Sequence, residues 1–318
     1  MRHATTLLRV ALASAVLLMA TASGLSAPAR ADDGGETVKP RYWLSPSFTV
    51  GEKFRVERRY RQTTYTSISD SRRNPVAQGN PLEYDASMQL DAVVTIERVD
   101  AKGGALVWSV FLEKLRVDVP DPLQTPEYRL RVRERKQKRL PYNSHPLEGE
   151  TVKVDLSGAK MRLFKVLDSG EDAGIVQRYP EVLPLMQELV DPDWTPVDTV
   201  SVGGEWEMNA DHIFRLTKVL LKAPLKGTIN CRLASVADGI ANVDFTAALK
   251  ETYATIEMRL EVTGRIEFDI EHRRQVGTSF KGEVQIGAKG SSLSGRGVIE
   301  GGNQFTAASG SVTGSAPK

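Results

Sequence analysis

Thr255-Ile256-Glu257-Met258-Arg259-Leu260-Glu261-Val262 alternates polar and apolar residues without a break. A β-strand sends successive side chains to opposite faces, so this stretch has one apolar and one polar face. The same period of two runs through the whole of Leu225 to Ile286. Upstream it puts Ile229, Cys231 and Leu233, then Val243, Phe245, Ala247 and Leu249, on the apolar face. Downstream it adds Ile266, Phe268 and Ile270, then Phe280, Val284 and Ile286. Asp238-Gly239 turns the chain once, and the polar stretch Glu271 to Gln275 turns it again. The segment reads as an antiparallel meander of about five strands, dry on one side and wet on the other. It carries no catalytic signature.

The N-terminal half repeats the theme. Val50-Gly51-Glu52-Lys53-Phe54 opens a strand that continues through Val56 and Tyr60 to about Tyr65. Residues 67–81 are rich in Ser, Asn, Arg and Gly and read as a loop. Met88, Leu90, Ala92, Val94 and Ile96 then alternate with polar residues, Asp100 to Gly104 turns the chain, and Leu106, Trp108, Val110 and Leu112 bring it back as a hairpin. The apolar phase then shifts to Leu115 and Val117, which predicts a bulge near Glu113. Further strands are expected over Val152 to Leu156 and Lys160 to Leu167, with a turn at Ser157-Gly158.

Helical spacing is confined to one region. Val182, Leu183, Met186, Leu189 and Val190 lie on one helical stripe between Pro180 and Asp191-Pro192. Asn209 caps a second expected helix holding Ile213, Phe214, Leu216 and Leu220. The expected fold is mainly β, of the α+β kind: an antiparallel meander sheet with two short helices around residues 180–221. The sheet either curls into a half-barrel or splits into two related lobes, 47–170 and 199–289, joined by a helical segment at 178–198. Val202-Gly203-Gly204-Glu205-Trp206 echoes Val50 to Phe54, and similar hairpin turns follow each, the pattern of either an internal duplication or turn residues that recur by chemistry alone. Residues 32–46 read as a flexible N-terminus ahead of a β-rich domain over 47–289, and 290–318 as a Gly/Ser-rich tail in which Val298-Ile299 is read as pairing in a last short strand.

The first 31 residues have the form of a signal peptide. Arg2, His3 and Arg9 supply the positive start, Val10 to Ala20 is apolar except for Ser14, and Ala29-Arg30-Ala31 gives a small-x-small cleavage site. The apolar run falls short of the roughly 20 residues that span a bilayer. The predicted mature chain starts at Asp32, and its expected location is the periplasm or the exterior of a bacterial cell. Cleavage removes three arginines and no acids, leaving 39 basic against 40 acidic residues. A balance so near neutrality gives no global attraction to nucleic acid. The single cysteine, Cys231, leaves no internal disulfide, and its place beside Ile229 and Leu233 marks it as a small buried apolar side chain.

No known chemistry assembles locally. Ser157-Gly158-Ala159-Lys160 has the S-x-x-K spacing of penicillin-recognising enzymes, but Gly158 breaks the helix that motif needs. Gly290 to Gly295 has the wrong spacing for a nucleophile elbow, and Gly282 to Lys289 for a phosphate loop. His145, His212 and His272 are scattered and read as surface or capping residues. Asp191, Asp193 and Asp198 read as helix-stop chemistry rather than a calcium loop, and Glu267, Asp269 and Glu271 as a solvated strand face. No cofactor or metal is expected.

Arg129, Arg131, Arg133 and Arg135 form the one constellation with a binding chemistry. On a strand all four guanidinium groups would leave one face, as an anion-binding strip for a phosphate, a lipid headgroup or an acidic polysaccharide. The alternative is a solvated face crossed by acids such as Asp91 or Glu97. No aromatic residues interleave the arginines, as stacking on nucleic acid requires.

At Val202 to Trp206, the Asp238-Gly239 hairpin and Gly264-Arg265-Ile266-Glu267-Phe268-Asp269, the chain resembles a loose group of exported bacterial β-rich proteins of unknown function. The resemblance covers the C-terminal third and implies an envelope location and a curved antiparallel sheet. More distantly, the architecture is similar to the half-barrels of periplasmic lipoprotein and lipid carriers, where a curved sheet shelters acyl chains. The expected function is a non-enzymatic envelope protein that binds an apolar or lipid-like ligand or another envelope component. The alternatives are an interaction module without a small ligand, and a secreted hydrolase whose residues converge only in the fold.

Overall fold

The computed structural model describes residues 39–68, 82–118, 133–134, 136, 138, 143–158, 162–167, 170–172, 179, 182–190, 194–208, 226–253, 256–288 and 293–308. Long strands dominate: β1 (Arg41–Tyr42), β2 (Lys53–Ile68), β3 (Leu82–Val99), β4 (Ala105–Asp118), β5 (Thr151–Asp155), β6 (Arg162–Leu167) and β7 (Gly170–Asp172). A short helix α1 (Val182–Gln187) follows. Then come β8 (Val200–Ser201), β9 (Glu205–Met208), β10 (Lys226–Ala237), β11 (Ile240–Tyr253), β12 (Ile256–Asp269), β13 (Arg274–Ala288) and β14 (Leu293–Ala307). Among the described residues twelve strands form one sheet, in the order β7-β6-β5-β4-β3-β2-β14-β13-β12-β11-β10-β9, and β1 pairs with β8 in a separate ribbon. Every pairing is antiparallel. The sheet is open.

The alternating residues do what their period requires. Ile229, Cys231, Leu233, Val243, Phe245, Met258, Leu260, Val262, Ile266 and Phe268 are all buried, and they join Leu90, Val94, Ile96, Trp108 and Val110 of the N-terminal hairpin in one core. The expected bulge is present: Asp91 pairs with Lys114 and Ala92 with Leu112, which leaves Glu113 as the extra residue. The first expected helix is α1. The second, over 209–220, lies outside the described residues.

Two expectations need correction. The Gly/Ser-rich segment from 290 is no tail where it is described, because residues 293–307 form the fifteen-residue strand β14 at the centre of the sheet, between β13 and β2. Nor do the two β-rich stretches form separate lobes. They are the flanks of one sheet, joined by the β2–β14 pairing, and they share one core.

The flanks are nonetheless a structural repeat. Each is a six-strand meander, β2 to β7 and β9 to β14, laid in the same direction along the sheet. Each opens on the same turn: Gly51 and Gly203 have φ of 83° and 89°, a left-handed conformation that favours glycine. Gly51 N–H donates to Ile96 O while Ile96 N–H donates to Glu52 O; Gly203 N–H donates to Leu233 O while Leu233 N–H donates to Gly204 O. The registers next to this turn then agree, although the Glu113 bulge between β3 and β4 has no counterpart between β10 and β11. Phe54 pairs with Val94 as Trp206 pairs with Cys231. Ile96 and Arg98 meet Trp108 and Val107 across a bulge, as Leu233 and Ser235 meet Val243 and Asn242.

The sheet curls strongly. Ser47 N–H donates to Arg273 O in the β12–β13 turn (3.1 Å), and Phe48 N–H donates to Gly103 O in the β3–β4 turn (2.8 Å). Donors on adjacent residues hold these carbonyls within about 10 Å of each other. In a flat sheet the two turns, four strand spacings apart, would be separated by about 19 Å. A cross-strand row on the concave face accounts for the curl: Phe245, Gly264, Phe280, Gly301 and Tyr60 are register neighbours on five successive strands. A Cβ on Gly264 would sit 2.4 Å from the Phe245 ring, and one on Gly301 2.7 Å from the Phe280 ring. Each aromatic ring therefore lies over a neighbouring glycine, filling space that a side chain would hold open.

Gly264→Val should destabilise the protein by about 1–3 kcal/mol in urea denaturation, because its Cβ meets both the Phe245 ring and Ser279 O. Gly287→Val, where a Cβ meets nothing within 4 Å, should change stability by less than about 0.5 kcal/mol. Equal effects would remove the glycine row as the cause of the curl.

Candidate functional site

The arginine ladder falls largely outside the described residues, which is where Arg129, Arg131 and Arg135 lie. Arg133 is exposed and helical, and Glu134, Lys136 and Lys138 are helical too. The strand reading therefore fails at Arg133. Two positions along a helix turn by about 200°, so alternate residues do not share a face there. The acids expected opposite the ladder have other partners: Asp91 binds Arg59 and lies 3.9 Å from Lys114, and Glu97 binds Lys153 at 2.8 Å. His145 is buried rather than on the surface. Its Nδ1 accepts from Leu147 N–H (3.2 Å) and its ring meets Tyr179 edge-on at 4.8 Å. Burial pushes the Cys231 thiol up to about 12, so it is an inert core residue.

A strap, described at residues 182–190 and 194, lies on the concave face, and among the described residues convergent chemistry gathers beside it. Val182, Leu185, Met186, Leu189 and Val190 are buried against the sheet, and so is Trp194. Trp194 packs edge-on against Phe268 at 5.6 Å and donates its Nε1–H to Gln275 Oε1 at 2.9 Å. Trp206 Nε1–H in turn donates to Trp194 O at 2.7 Å. Between this strap, the 46–48 segment and the ends of β13 and β14 lies a cavity of about 290 Å³. Its apolar wall comprises Phe48, Phe54, Leu189, Val190, Val276 and Phe305. Phe48 and Phe54 stack at 5.9 Å, and Phe54 meets Phe305 at 6.2 Å. Glu188, Asp269, His272, Arg274 and Gln275 supply the polar part of the lining.

The charges around this cavity are paired within the chain. Arg58 points inward from β2, donates Nη1–H to Glu188 Oε2 at 2.5 Å and donates Nε–H to Asn303 Oδ1 at 2.9 Å. The Glu188 side chain is only 2% exposed. Burial is the strongest influence on its carboxyl and pushes it up to about 7, while the charge and hydrogen bond of Arg58 pull the other way. Glu188 Oε1 has no hydrogen-bond partner among the described residues, and neither has Arg274 Nε. Arg274 Nη2 pairs with Glu52 Oε2 at 2.9 Å. At the rim, His272 Nδ1 lies 2.8 Å from Asp269 Oδ2. Burial raises the Asp269 carboxyl, yet hydrogen bonds from the His272 backbone and ring outweigh it, and the net shift is downward.

Period two along β2 puts Arg58, Gln62 and Thr64 on the same face as Phe54, Val56 and Tyr60, and all six are buried. Tyr60 Oη–H donates to Gln62 Oε1 and Gln62 Nε2–H to Thr64 Oγ1, each at 3.0 Å. Polar residues at inward positions were thus a readable signal of something other than plain core. Glu188 carried no such signal, because an acid within a helical stripe points nowhere until the partner strand is known. A second hollow, about 680 Å³, crosses β13, β14, β2 and β3. It holds no spare charge at Arg59, bound to Asp91, or at Arg116, 3.8 Å from Glu148. Among the described residues no group of three or more His, Cys, Asp or Glu side chains could hold a metal, and no helix is long and apolar enough to cross a membrane.

Protein-family models give no match to this chain, and neither do curated proteins.

The raised Glu188 carboxyl makes stability depend on pH. The folded state binds this proton more tightly than the unfolded chain, whose carboxyl titrates near 4.5. Its contribution is therefore present in full below about 4.5 and is lost as pH rises through about 7. Wild type should lose stability relative to Glu188→Gln across that window in denaturant titrations at a series of pH values. A constant difference would show that Glu188 titrates normally.

Proposed function

We propose that the protein is a non-enzymatic binding protein of the cell envelope whose ligand is a small, largely apolar molecule held in the cavity beneath the strap. The observation that carries this reading is the cavity itself: an apolar, aromatic-walled space of about 290 Å³ with a few polar groups converging on it, the usual composition of a small-molecule site. An open, curled sheet with a strap across its mouth supports it, because that arrangement leaves inward residues unpacked at one end. The leader-like first 31 residues support an exported location.

One observation favours a second reading. Glu188, Asp269 and His272 line the same cavity, and a carboxyl displaced to about 7 beside a His–Asp pair is how acid–base sites are built. Against a serine or cysteine hydrolase in particular stands the absence of both residues from the described lining, where Thr306 is the only hydroxyl-bearing side chain.

Binding of the neutral dye N-phenyl-1-naphthylamine tests the proposal. Wild type should enhance its fluorescence saturably, and Val276→Trp, which fills the cavity with an indole, should abolish the enhancement while remaining folded by circular dichroism. Equal enhancement by both proteins would overturn it.

A further inference from the structure

The ligand's head group is readable from the groups that lack partners. Three features of the cavity bear on it. With Glu188 ionised, as it is above about pH 7, its Oε1 is a buried acceptor with nothing to accept from among the described residues, on a side chain 2% exposed that lines the cavity. A buried polar atom in that state is costly unless something bound there satisfies it. Arg274 Nε is a buried donor in the same condition, on another lining residue. Finally, both arginines already face carboxylates of the chain: Arg58 holds Glu188 Oε2 at 2.5 Å, and Arg274 holds Glu52 Oε2 at 2.9 Å.

These features separate the possible head groups. A carboxylate or phosphate would arrive beside Glu188 and Asp269 and find no uncompensated cation to meet it. A pure hydrocarbon would leave both orphan atoms unsatisfied, and an ether or ester offers only acceptors, which serve Arg274 but not Glu188. A neutral hydroxyl suits either orphan, since its O–H donates and its oxygen accepts. The volume sets the length of the tail, because about 290 Å³ is room for about ten groups of water size at roughly 30 Å³ each. Resting on the reading of this cavity as a ligand site, we infer that the protein binds a medium-length apolar alcohol, with its hydroxyl donating to Glu188 and its chain against Phe48, Phe54 and Phe305. Anionic lipids are disfavoured there.

The test is displacement of N-phenyl-1-naphthylamine from the full chain at pH 8 by 1-octanol, by its isostere heptyl methyl ether, and by octanoate. Octanol and the ether match in size and differ in the donor. Octanol should displace the dye at about tenfold lower concentration than the ether, the value of one hydrogen bond to a charged acceptor, and octanoate should be the weakest. Glu188→Gln should shrink the octanol-to-ether ratio severalfold. Removing the acid could unfold the protein by stranding Arg58, but the wild-type comparison needs no variant. Equal displacement by octanol and ether, or stronger displacement by octanoate, overturns the alcohol assignment and leaves the cavity as a binding site. A wild type that binds no dye and is perturbed by none of the three probes overturns both.

Discussion

Glycine under aromatic ring, repeated across the strands, is the constraint on which the rest of the molecule depends. Phe245 and Phe280 lie over Gly264 and Gly301 on the concave face, and Tyr60 continues the row onto β2. Side chains of ordinary size at every position would keep adjacent strands splayed and the sheet broad. Alternating large and absent side chains shortens the concave face, so the sheet bends toward it. β14 carries this furthest, since Gly295, Gly297 and Gly301 stand at inward register positions beside Ile299, Asn303 and Phe305. The strand with the least side-chain bulk is thus the seam between the two repeated meanders. The bend brings the β3–β4 and β12–β13 turns close enough for Ser47 and Phe48 to join them.

A bend this strong leaves a concave face too deep for strands alone to fill, and the strap supplies the missing layer. It is fastened apolarly through Met186, Leu189 and Trp194 and electrostatically through Glu188. A buried ion pair is weak evidence of net stability, because desolvating both charges offsets much of their attraction. Its effect here is positional. Among the described residues Arg58 donates to Glu188 and Asn303, which fixes where the strap crosses β2. Trp194 ties the strap to the β13 end at Gln275, and the cavity lies between the strap, the 46–48 segment and the ends of β13 and β14.

Edges are the liability of an open sheet, since unpaired backbone groups invite other chains. Here the strands taper outward, from eighteen residues in β3 and sixteen in β2 to three in β7 and four in β9. The turn at Gly203-Gly204 covers part of the β10 edge by hydrogen bonding to Leu233. The two halves of the repeat therefore pair along the long β2–β14 junction, while the described strands at the two outer ends are short.

Much of this was legible in the residues. The period of two fixed which side chains of β10 to β13 face inward, the phase shift at Glu113 located a bulge, and the echo of Val50 to Phe54 in Val202 to Trp206 marked the first strand of each repeat. All of these are local, because side-chain direction along a strand follows from the backbone alone. β14 was legible only at Val298-Ile299 and not over its full length, because glycine has no side chain to report a period, so a strand built for close approach looks in sequence like a linker. The arginine ladder misled in the opposite way: alternate spacing implies a shared face only on a strand, and Arg133 is helical. The curl, the crossing of the strap and the cavity needed the tertiary structure. They depend on meetings such as Arg58 with Glu188, 130 residues apart, and on the space left between elements that no local pattern brings together.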